Sequence, residues 1–193
     1  MTGTARNIAL YPWFRAFQGL LFWQAVWFLY FQDKLSAADA LVLYALTDIA
    51  TTVLEVPSGY MSDRIGRRIT LIAASAVSLA GALLLTFGGG FAALAAGQVL
   101  LGAGMAFVSG TDSSLLYESL AAEGREDEIE AQELRAWRVA FAAFAVSAVS
   151  GGAMALASGA LAYGATALAF AGQLAVALRF TEPRHRDSGI AQG

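Results

Sequence analysis

Apolar residues run in long blocks along this chain, and polar or glycine-rich segments separate the blocks. Six blocks each have close to the ~20 residues that a helix needs to cross a bilayer core of about 30 Å. They cover residues 10–31, 39–60, 69–88, 91–117, 137–157 and 159–180. Each block is apolar throughout rather than alternating apolar and polar, which excludes the strands of a membrane β-barrel. The pattern therefore predicts an all-α membrane protein with six transmembrane helices.

The composition supports this interpretation. Hydrophobic residues make up 58% of the 193 residues and charged residues 14%, against about 45–50% and about 25% in typical soluble domains. We predict one transmembrane domain over residues 1–180 and a polar cytoplasmic tail over residues 181–193. The first block is longer than the ~7–15 apolar residues of a cleavable signal peptide, so we expect it to remain as the first helix.

The basic residues predict the orientation in the membrane. Lys34 alone falls on one side of the six helices, and eleven arginines fall on the other side. The eleven are Arg6, Arg15, Arg64, Arg67, Arg68, Arg125, Arg135, Arg138, Arg179, Arg184 and Arg186. Because loops rich in lysine and arginine stay in the cytoplasm, we predict a multi-pass protein of the inner (plasma) membrane with both termini cytoplasmic.

The segment between the second and third predicted helices carries the most specific pattern. Residues 59–68 read Gly-Tyr-Met-Ser-Asp-Arg-Ile-Gly-Arg-Arg. A tight turn with cytoplasmic arginines explains Gly66 and the basic residues, but it does not explain Asp63 among them. The segment resembles the G-x-x-x-D-R-x-G-R-R signature of the major facilitator superfamily, which lies between helices two and three in that family. The resemblance implies half of a major-facilitator fold, built as 3+3 inverted repeats, and a secondary transporter of a small molecule.

This resemblance also implies a gating motif near the cytoplasmic surface. Its members here are Gly59, Asp63, Arg64, Gly66, Arg67, Arg68 and Glu118. A carboxylate at Asp63 can accept hydrogen bonds from the free amides at a helix N-terminus, where the helix dipole favours negative charge. The resemblance implies that this helix belongs to the second half of the transporter, which in a pair of copies would be helix five of the other copy. Arg67 and Arg68 lie at the same depth as Glu118, so an ion pair is expected there. The alternative is an ordinary solvated surface, where such pairs contribute little.

Polar residues inside the apolar blocks are candidates for binding a substrate or an ion. They are Arg15, Gln18, Gln24, Asp48, Glu55 and Asp112. Asp48 falls near the middle of the second helix, where a charge is costly and therefore indicates a functional site. Arg15 has a structural alternative, in which it pairs with Glu55 or Asp112 or reaches the membrane interface. Several carboxylates favour a cationic or zwitterionic solute, exported against protons, while sugars and other neutral solutes remain an alternative.

Members of the resembled family have twelve helices in two six-helix halves that move about a site at the membrane midplane. Six helices therefore predict a half-transporter that pairs with a second copy or with a separate six-helix partner, or else a truncated half of a longer transporter. Small residues recur at every fourth position of the fifth helix: Ala143, Ser147, Gly151, Ala155 and Gly159. This ridge suits close helix packing, either between two copies or inside one unit.

The sequence disfavours other functions. It has one histidine, His185, and no cysteine, so a metal site cannot be assembled from these ligands. An intramembrane protease would need a buried serine and histidine, or paired aspartates, on neighbouring helices. We predict no enzyme activity, no cofactor and no nucleic-acid partner; the lipid bilayer and a small molecule are the expected partners. A membrane scaffold that moves no substrate is the remaining alternative, and Asp48 at mid-membrane argues against it.

Overall fold

The computed structural model of the protein describes residues 2–183. These residues form eight α-helices and a short 3-10 helix. In chain order they are α1 Gly3–Gly19, α2 Trp27–Gln32, α3 Ala37–Ile65, α4 Arg67–Phe87, α5 Gly90–Val108, α6 Thr111–Ala122, the 3-10 helix Glu126–Glu128, α7 Ile129–Ala155 and α8 Gly159–Ala177. No β-strand occurs among the described residues, and the all-α prediction is confirmed. Residues 184–193 of the predicted tail, with His185, lie outside the described residues.

Five helical stretches are long and apolar enough to cross a membrane: Ala37–Ile65, Arg67–Phe87, Gly90–Ala122, Glu126–Ala155 and Gly159–Ala177. The first predicted span, over residues 10–31, is not one continuous helix. It is divided between α1, which begins at Gly3, and the short α2, with turns over residues 20–26. The two helices still extend from one end of the bundle to the other, because Arg6 contacts Thr181 after α8 and Tyr30 donates to the carbonyl of Leu85 near the end of α4.

At this interruption, hydroxyl groups from two other helices accept hydrogen bonds from backbone amides. The amide of Leu21 donates to Ser147 Oγ at 3.1 Å, and the amide of Phe22 donates to Thr166 Oγ1 at 3.1 Å. Gly151 allows α7 to approach, since a Cβ there would lie 1.9 Å from the carbonyl oxygen of Phe22. The small-residue ridge of α7 therefore packs inside one copy of the chain at Ser147 and Gly151, which is one of the two alternatives that the sequence left open.

The fourth predicted span, over residues 91–117, is also interrupted. It bends at Ser109 and Gly110, where α5 ends and α6 begins. Gly110 has φ +74°, a left-handed conformation that glycine adopts without steric cost. The bend places Asp112 in the first turn of α6, where the positive end of the helix dipole favours a carboxylate.

The helices pack in pairs that agree with an inverted repeat. α1 packs on α7, α3 packs on α5, and α4 packs on both α5 and α8. α1, α3 and α4 belong to the first three predicted spans, and α5, α7 and α8 belong to the last three. When each helix is replaced by its counterpart in the other triplet, the α1–α7 pair becomes the α5–α3 pair, as two related triplets require. α3 and α7 are the least covered spans: 22% and 17% of their most apolar stretches are buried, against 44–50% in the other three. These two helices therefore present most of their surface outward.

Candidate functional site

A buried ion pair joins α1 to α6. Arg15 Nη1 lies 2.6 Å from Asp112 Oδ2, and both side chains are almost fully buried. The same nitrogen donates to Gln18 Oε1 at 3.1 Å, and the guanidinium carbon lies 4.3 Å from the ring centre of Trp137 on α7. The backbone amide of Ser113 donates to the other carboxylate oxygen of Asp112. Each charge is therefore matched by its partner, as a charge inside a membrane must be.

Arg15 and Gln18 border a cavity of about 310 Å³. α1 and the interrupted segment after it form one wall, and α4, α5, α7 and α8 complete the lining. Aromatic side chains form much of the surface, and they are Trp23, Trp137, Phe141, Phe144 and Phe170. Trp137 and Phe141 are also exposed on the outer surface of α7, so the cavity reaches the outside of the unit there. Such a volume is at the lower end of the range for small-molecule sites.

Three buried polar atoms that belong to residues of the cavity lining have no hydrogen-bond partner among the described residues. They are Arg15 Nε, Trp23 Nε1 and Gln173 Oε1. Gln173 is 1% exposed and Trp23 is 4% exposed. A buried polar group without a partner costs about 1–3 kcal/mol, so such groups are normally paired with protein, water or ligand. Each of the three has less than 1 Å² of accessible surface, so each is packed against protein atoms rather than facing the cavity.

The remaining predicted binding residues lie apart from the cavity. Asp48 is exposed on the outer surface of α3, together with Thr52 one turn later. Glu55 is also exposed on α3 and accepts a hydrogen bond from Ser109 at the end of α5. Gln24 is half-buried in the turns between α1 and α2. The structure thus brings Arg15, Gln18 and Asp112 together, but the carboxylates do not converge on one cation site.

The signature segment lies mostly on α3, which continues to Ile65, beyond its predicted end at Tyr60. Arg67 makes two ion pairs. Its Nη1 lies 2.6 Å from Asp63 Oδ1, and its Nε lies 3.0 Å from Glu118 Oε1 on α6. The ion pair with Glu118 thus forms at Arg67. Arg68 instead donates to the carbonyl oxygens of Phe180 and Leu178 after α8.

The other signature residues have separate surroundings. The guanidinium of Arg64 lies 5.1 Å from the ring centre of Tyr60. No neighbouring atom lies within 4 Å of a Cβ built at Gly59. Gly66 is the single residue between α3 and α4, and its φ of +98° is a conformation that other residues rarely adopt. Asp63 is exposed, and its ion-pair partner Arg67 lies four residues further along the chain.

The amides at the start of α4 are bound by Glu182, a residue that the sequence did not indicate. The backbone amide of Arg67 donates to Glu182 Oε1 at 2.7 Å, and that of Arg68 donates to Oε2 at 2.8 Å. Asn7 fixes the neighbouring Thr181 through hydrogen bonds to its amide and its carbonyl. A carboxylate therefore binds the N-terminus of α4 inside the unit, and it belongs to Glu182. The contact of Asp63 with a helix of a second unit stays a prediction.

The N-terminus is attached at the same end of the bundle. The hydroxyls of Thr2 and Thr4 donate to the carboxylate of Glu123, just after α6, and these hydrogen bonds lower the pKa of Glu123 below its ordinary value. Together with the contacts of Glu182, they bring the starts of α1 and α4 and the ends of α6 and α8 to one end of the molecule. We call it the arginine end, because Arg6, Arg67, Arg68 and Arg125 lie there.

Gln173 was missed by sequence reasoning as well. Its only signal is a polar side chain within an otherwise apolar span, a pattern that the Gln98 side chain shares. Within residues 2–183, no three histidine, cysteine, aspartate or glutamate side chains group closely enough to hold a metal ion.

A comparison with known families agrees with this architecture. The model of the sugar (and other) transporter family, a family of the major facilitator superfamily, matches residues 16–126. The chain belongs to this family. The matched residues include the signature segment, Asp48, Asp112 and Glu118, and they end before α7 begins. The chain is therefore a multi-pass membrane protein of a transporter family. No individually curated protein matches the chain.

Proposed function

We propose that the protein is a half-size secondary transporter, in which two six-helix units face each other and a small molecule crosses between them. The observation that carries the proposal is the polar surface of α3. Asp48, Thr52 and Glu55 follow each other at spacings of four and three residues, so they share one face of the helix, and all three are exposed. A carboxylate at mid-helix is strongly disfavoured against lipid tails and requires water or a partner.

A second copy of the chain is the partner that we propose. α3 and α7 are the least covered spans, and in a two-fold pair the α3 of one copy would face the α7 of the other. Such an arrangement would cover the polar surface of α3 and would close the cavity where Trp137 and Phe141 reach the outside. It would also leave the ridge of α7 in its observed place, against the segment after α1.

The arginine end would be the cytoplasmic gate. Eleven of the twelve basic residues fall on this side of the predicted topology, which favours a cytoplasmic position in the inner membrane. Asp63 is exposed beside Arg67, where its carboxylate is available to the partner copy. A contact that forms and breaks there would open and close the cytoplasmic side while the two units rock about the cavity. In this proposal Asp48 carries the coupling proton.

The partner can be tested with cysteine cross-links, because the chain has no natural cysteine. Ile49 on α3 and Val146 on α7 lie at almost equal distances along the chain from Ile65 and Ile129, where their helices meet the arginine end. Because the rise per residue is the same in both helices, the two positions have a similar depth, and both are exposed. Copies carrying Ile49→Cys, mixed in the membrane with differently tagged copies carrying Val146→Cys, should cross-link.

Leu168→Cys on α8 is the control, since Leu168 is exposed on a span outside the proposed contact. Copies with Leu168→Cys should not cross-link to copies with Val146→Cys. Native mass measurement in nanodiscs should give two copies per particle. A monomeric mass without α3–α7 cross-links would show that the second unit is not another copy of this chain.

A further inference from the structure

The outward surfaces of α4 and α8 are apolar. On α4, the exposed residues from Ile69 to Phe87 are isoleucine, alanine, leucine and phenylalanine. On α8 and its C-terminal cap, the exposed residues from Leu161 to Leu178 are leucine and alanine. α3 differs, because Asp48 is exposed among its apolar residues. A surface without polar groups is stable against lipid tails, so we assign the surfaces of α4 and α8 to lipid.

Two arginines lie at one end of this apolar surface. At about 1.5 Å per residue, the helix from Ile69 to Phe87 spans about 27 Å, close to the thickness of about 30 Å of a bilayer core. Arg68 directly precedes this stretch. Its Nη2 donates to the carbonyl oxygen of Leu178 at 3.1 Å, and Arg179 is the next residue of the chain. Both arginines therefore lie at the level of the lipid headgroups.

The guanidinium of Arg68 is fixed in place and only partly used. Its Nε donates to the carbonyl oxygen of Phe180 at 2.6 Å. The ring of Phe180 is buried, and its centre lies 5.5 Å from that of Phe14 on α1, so the segment that holds Arg68 is anchored. Within residues 2–183, Nη1 of Arg68 makes no hydrogen bond, and it is not buried. A fixed guanidinium with accessible N–H groups suits the oxygens of a phosphate.

Positive charge predominates around the end of α8. Arg179 is exposed, and neither Arg68 nor Arg179 forms an ion pair within the described part of the chain. Arg6 is exposed as well and donates to Thr181 Oγ1 at 2.8 Å. The carboxylate of the same segment, Glu182, already accepts the first amides of α4. We call Arg6, Arg68 and Arg179 the basic edge, since three guanidinium groups outnumber one carboxylate there.

We propose that the basic edge binds the headgroup of an anionic phospholipid, whose acyl chains lie against the apolar surfaces of α4 and α8. The acyl chains do not make the site selective, because all phospholipids carry similar tails. The arginines do, since a zwitterionic lipid brings an ammonium group that offsets its phosphate, whereas an anionic lipid brings net negative charge. The site goes beyond the proposed transport and does not rest on it, because α4 and α8 lie outside the proposed contact between α3 and α7.

A fluorescent label can identify the lipid beside the basic edge. Leu178→Cys and Leu161→Cys place single cysteines at opposite ends of α8, at residues that are both 53% exposed. Each labelled full chain is placed in nanodiscs of phosphatidylcholine and phosphatidylglycerol in equal amounts, with a 5-doxyl quencher near the headgroup of one lipid or of the other.

Quenching at the Leu178→Cys label should show at least about tenfold enrichment of phosphatidylglycerol, since each arginine at a membrane surface contributes about fivefold. The opposite end has Lys34 together with Asp33 and Asp39, so the two lipids should quench the Leu161→Cys label equally. Equal quenching by the two lipids at the Leu178→Cys label would overturn the proposal.

Charge variants connect the enrichment to the basic edge. With the label at Leu178→Cys, Arg179→Gln should lower the enrichment by about fivefold, and Arg68→Gln should do the same. Arg179 makes no hydrogen bond or ion pair within residues 2–183, so Arg179→Gln alone decides the question if Arg68→Gln does not fold. Arg135→Gln, at an exposed arginine of α7, is the matched control and should leave the enrichment unchanged. An unchanged enrichment in Arg179→Gln, or an equal loss in Arg135→Gln, would show that the lipid is not held at the basic edge.

Discussion

At the scale of single residues, Glu182 has the clearest structural role. Its two carboxylate oxygens accept the first amides of α4, which a helix N-terminus otherwise leaves unpaired. A Cβ at Gly66 would lie 2.8 Å from this carboxylate, so any other residue there would require the carboxylate of Glu182 to shift and would also strain the backbone at φ +98°. The segment after α8 is thereby attached to the signature segment.

Replacement of Glu182 should loosen the arginine end. We expect Glu182→Ala to lower the free energy of unfolding by about 1 kcal/mol, the usual loss for a helix N-cap. Thermal unfolding in detergent, followed by size-exclusion chromatography, measures the change. Glu130→Ala, at an exposed carboxylate on α7, is the control and should leave the midpoint within error of the wild type. Equal midpoints for both variants would mean that Glu182 is dispensable for holding α4.

Sequence reasoning at this scale succeeded where depth in the membrane decided the contact. Arg67 and Glu118 were expected to meet because both lie at the same end of their helices, and they do. The partner of Arg15 was left open between Glu55 and Asp112. The bend at Gly110 decides it, because it directs Asp112 toward α1. Glu182 could not be predicted, since 114 residues separate it from Arg68 and neither residue carries a sign of the other.

At the scale of helices, the apolar blocks were predictable because each block alone satisfies the requirement of the bilayer. The interruptions over residues 20–26 and at Ser109 were not predictable, since no proline marks either of them. The first depends on acceptors that are 126 and 144 residues away along the chain, Ser147 and Thr166. Inside a membrane, a backbone amide can give up its hydrogen bond within the helix only where another acceptor is present. The local sequence does not show where such a distant acceptor lies.

Two adjacent glycines of α7 provide a matched test of this packing. Gly151→Ala would place a Cβ 1.9 Å from the carbonyl oxygen of Phe22, whereas a Cβ at Gly152 meets nothing within 4 Å. We expect Gly151→Ala to destabilise the protein by about 1–3 kcal/mol through overpacking. Gly152→Ala should stabilise it by about 0.5–1 kcal/mol, because alanine is the better helix former. Unfolding in detergent measures both, and similar stability of the two variants would contradict the close approach of α7 to the segment after α1.

At the scale of the whole molecule, the distribution of burial separates two kinds of span. In α4 and α8, 44% and 50% of the most apolar stretch is buried, whereas α3 and α7 are less covered and carry outward surfaces that include Asp48, Trp137 and Phe141. The sequence indicated Asp48 by its depth alone. It did not indicate that Asp48 and the cavity lie at different places, because the face of a helix that is covered depends on its neighbours. A change at Asp48 should therefore be separable from a change in the cavity lining.

The separation can be measured with Asp48→Asn, which removes the titratable carboxylate and keeps its size. If Asp48 carries the coupling proton, proteoliposomes with this variant should lose the acceleration of transport by a pH gradient. The unfolding midpoint of this variant in detergent should stay within error of the wild type, because Asp48 is exposed and is not part of the cavity lining. Asp33→Asn, at an exposed carboxylate just after α2, should retain both properties. Transport by Asp48→Asn with the pH dependence of the wild type would show that Asp48 does not carry the proton, and a lowered unfolding midpoint would show that its carboxylate has a structural role.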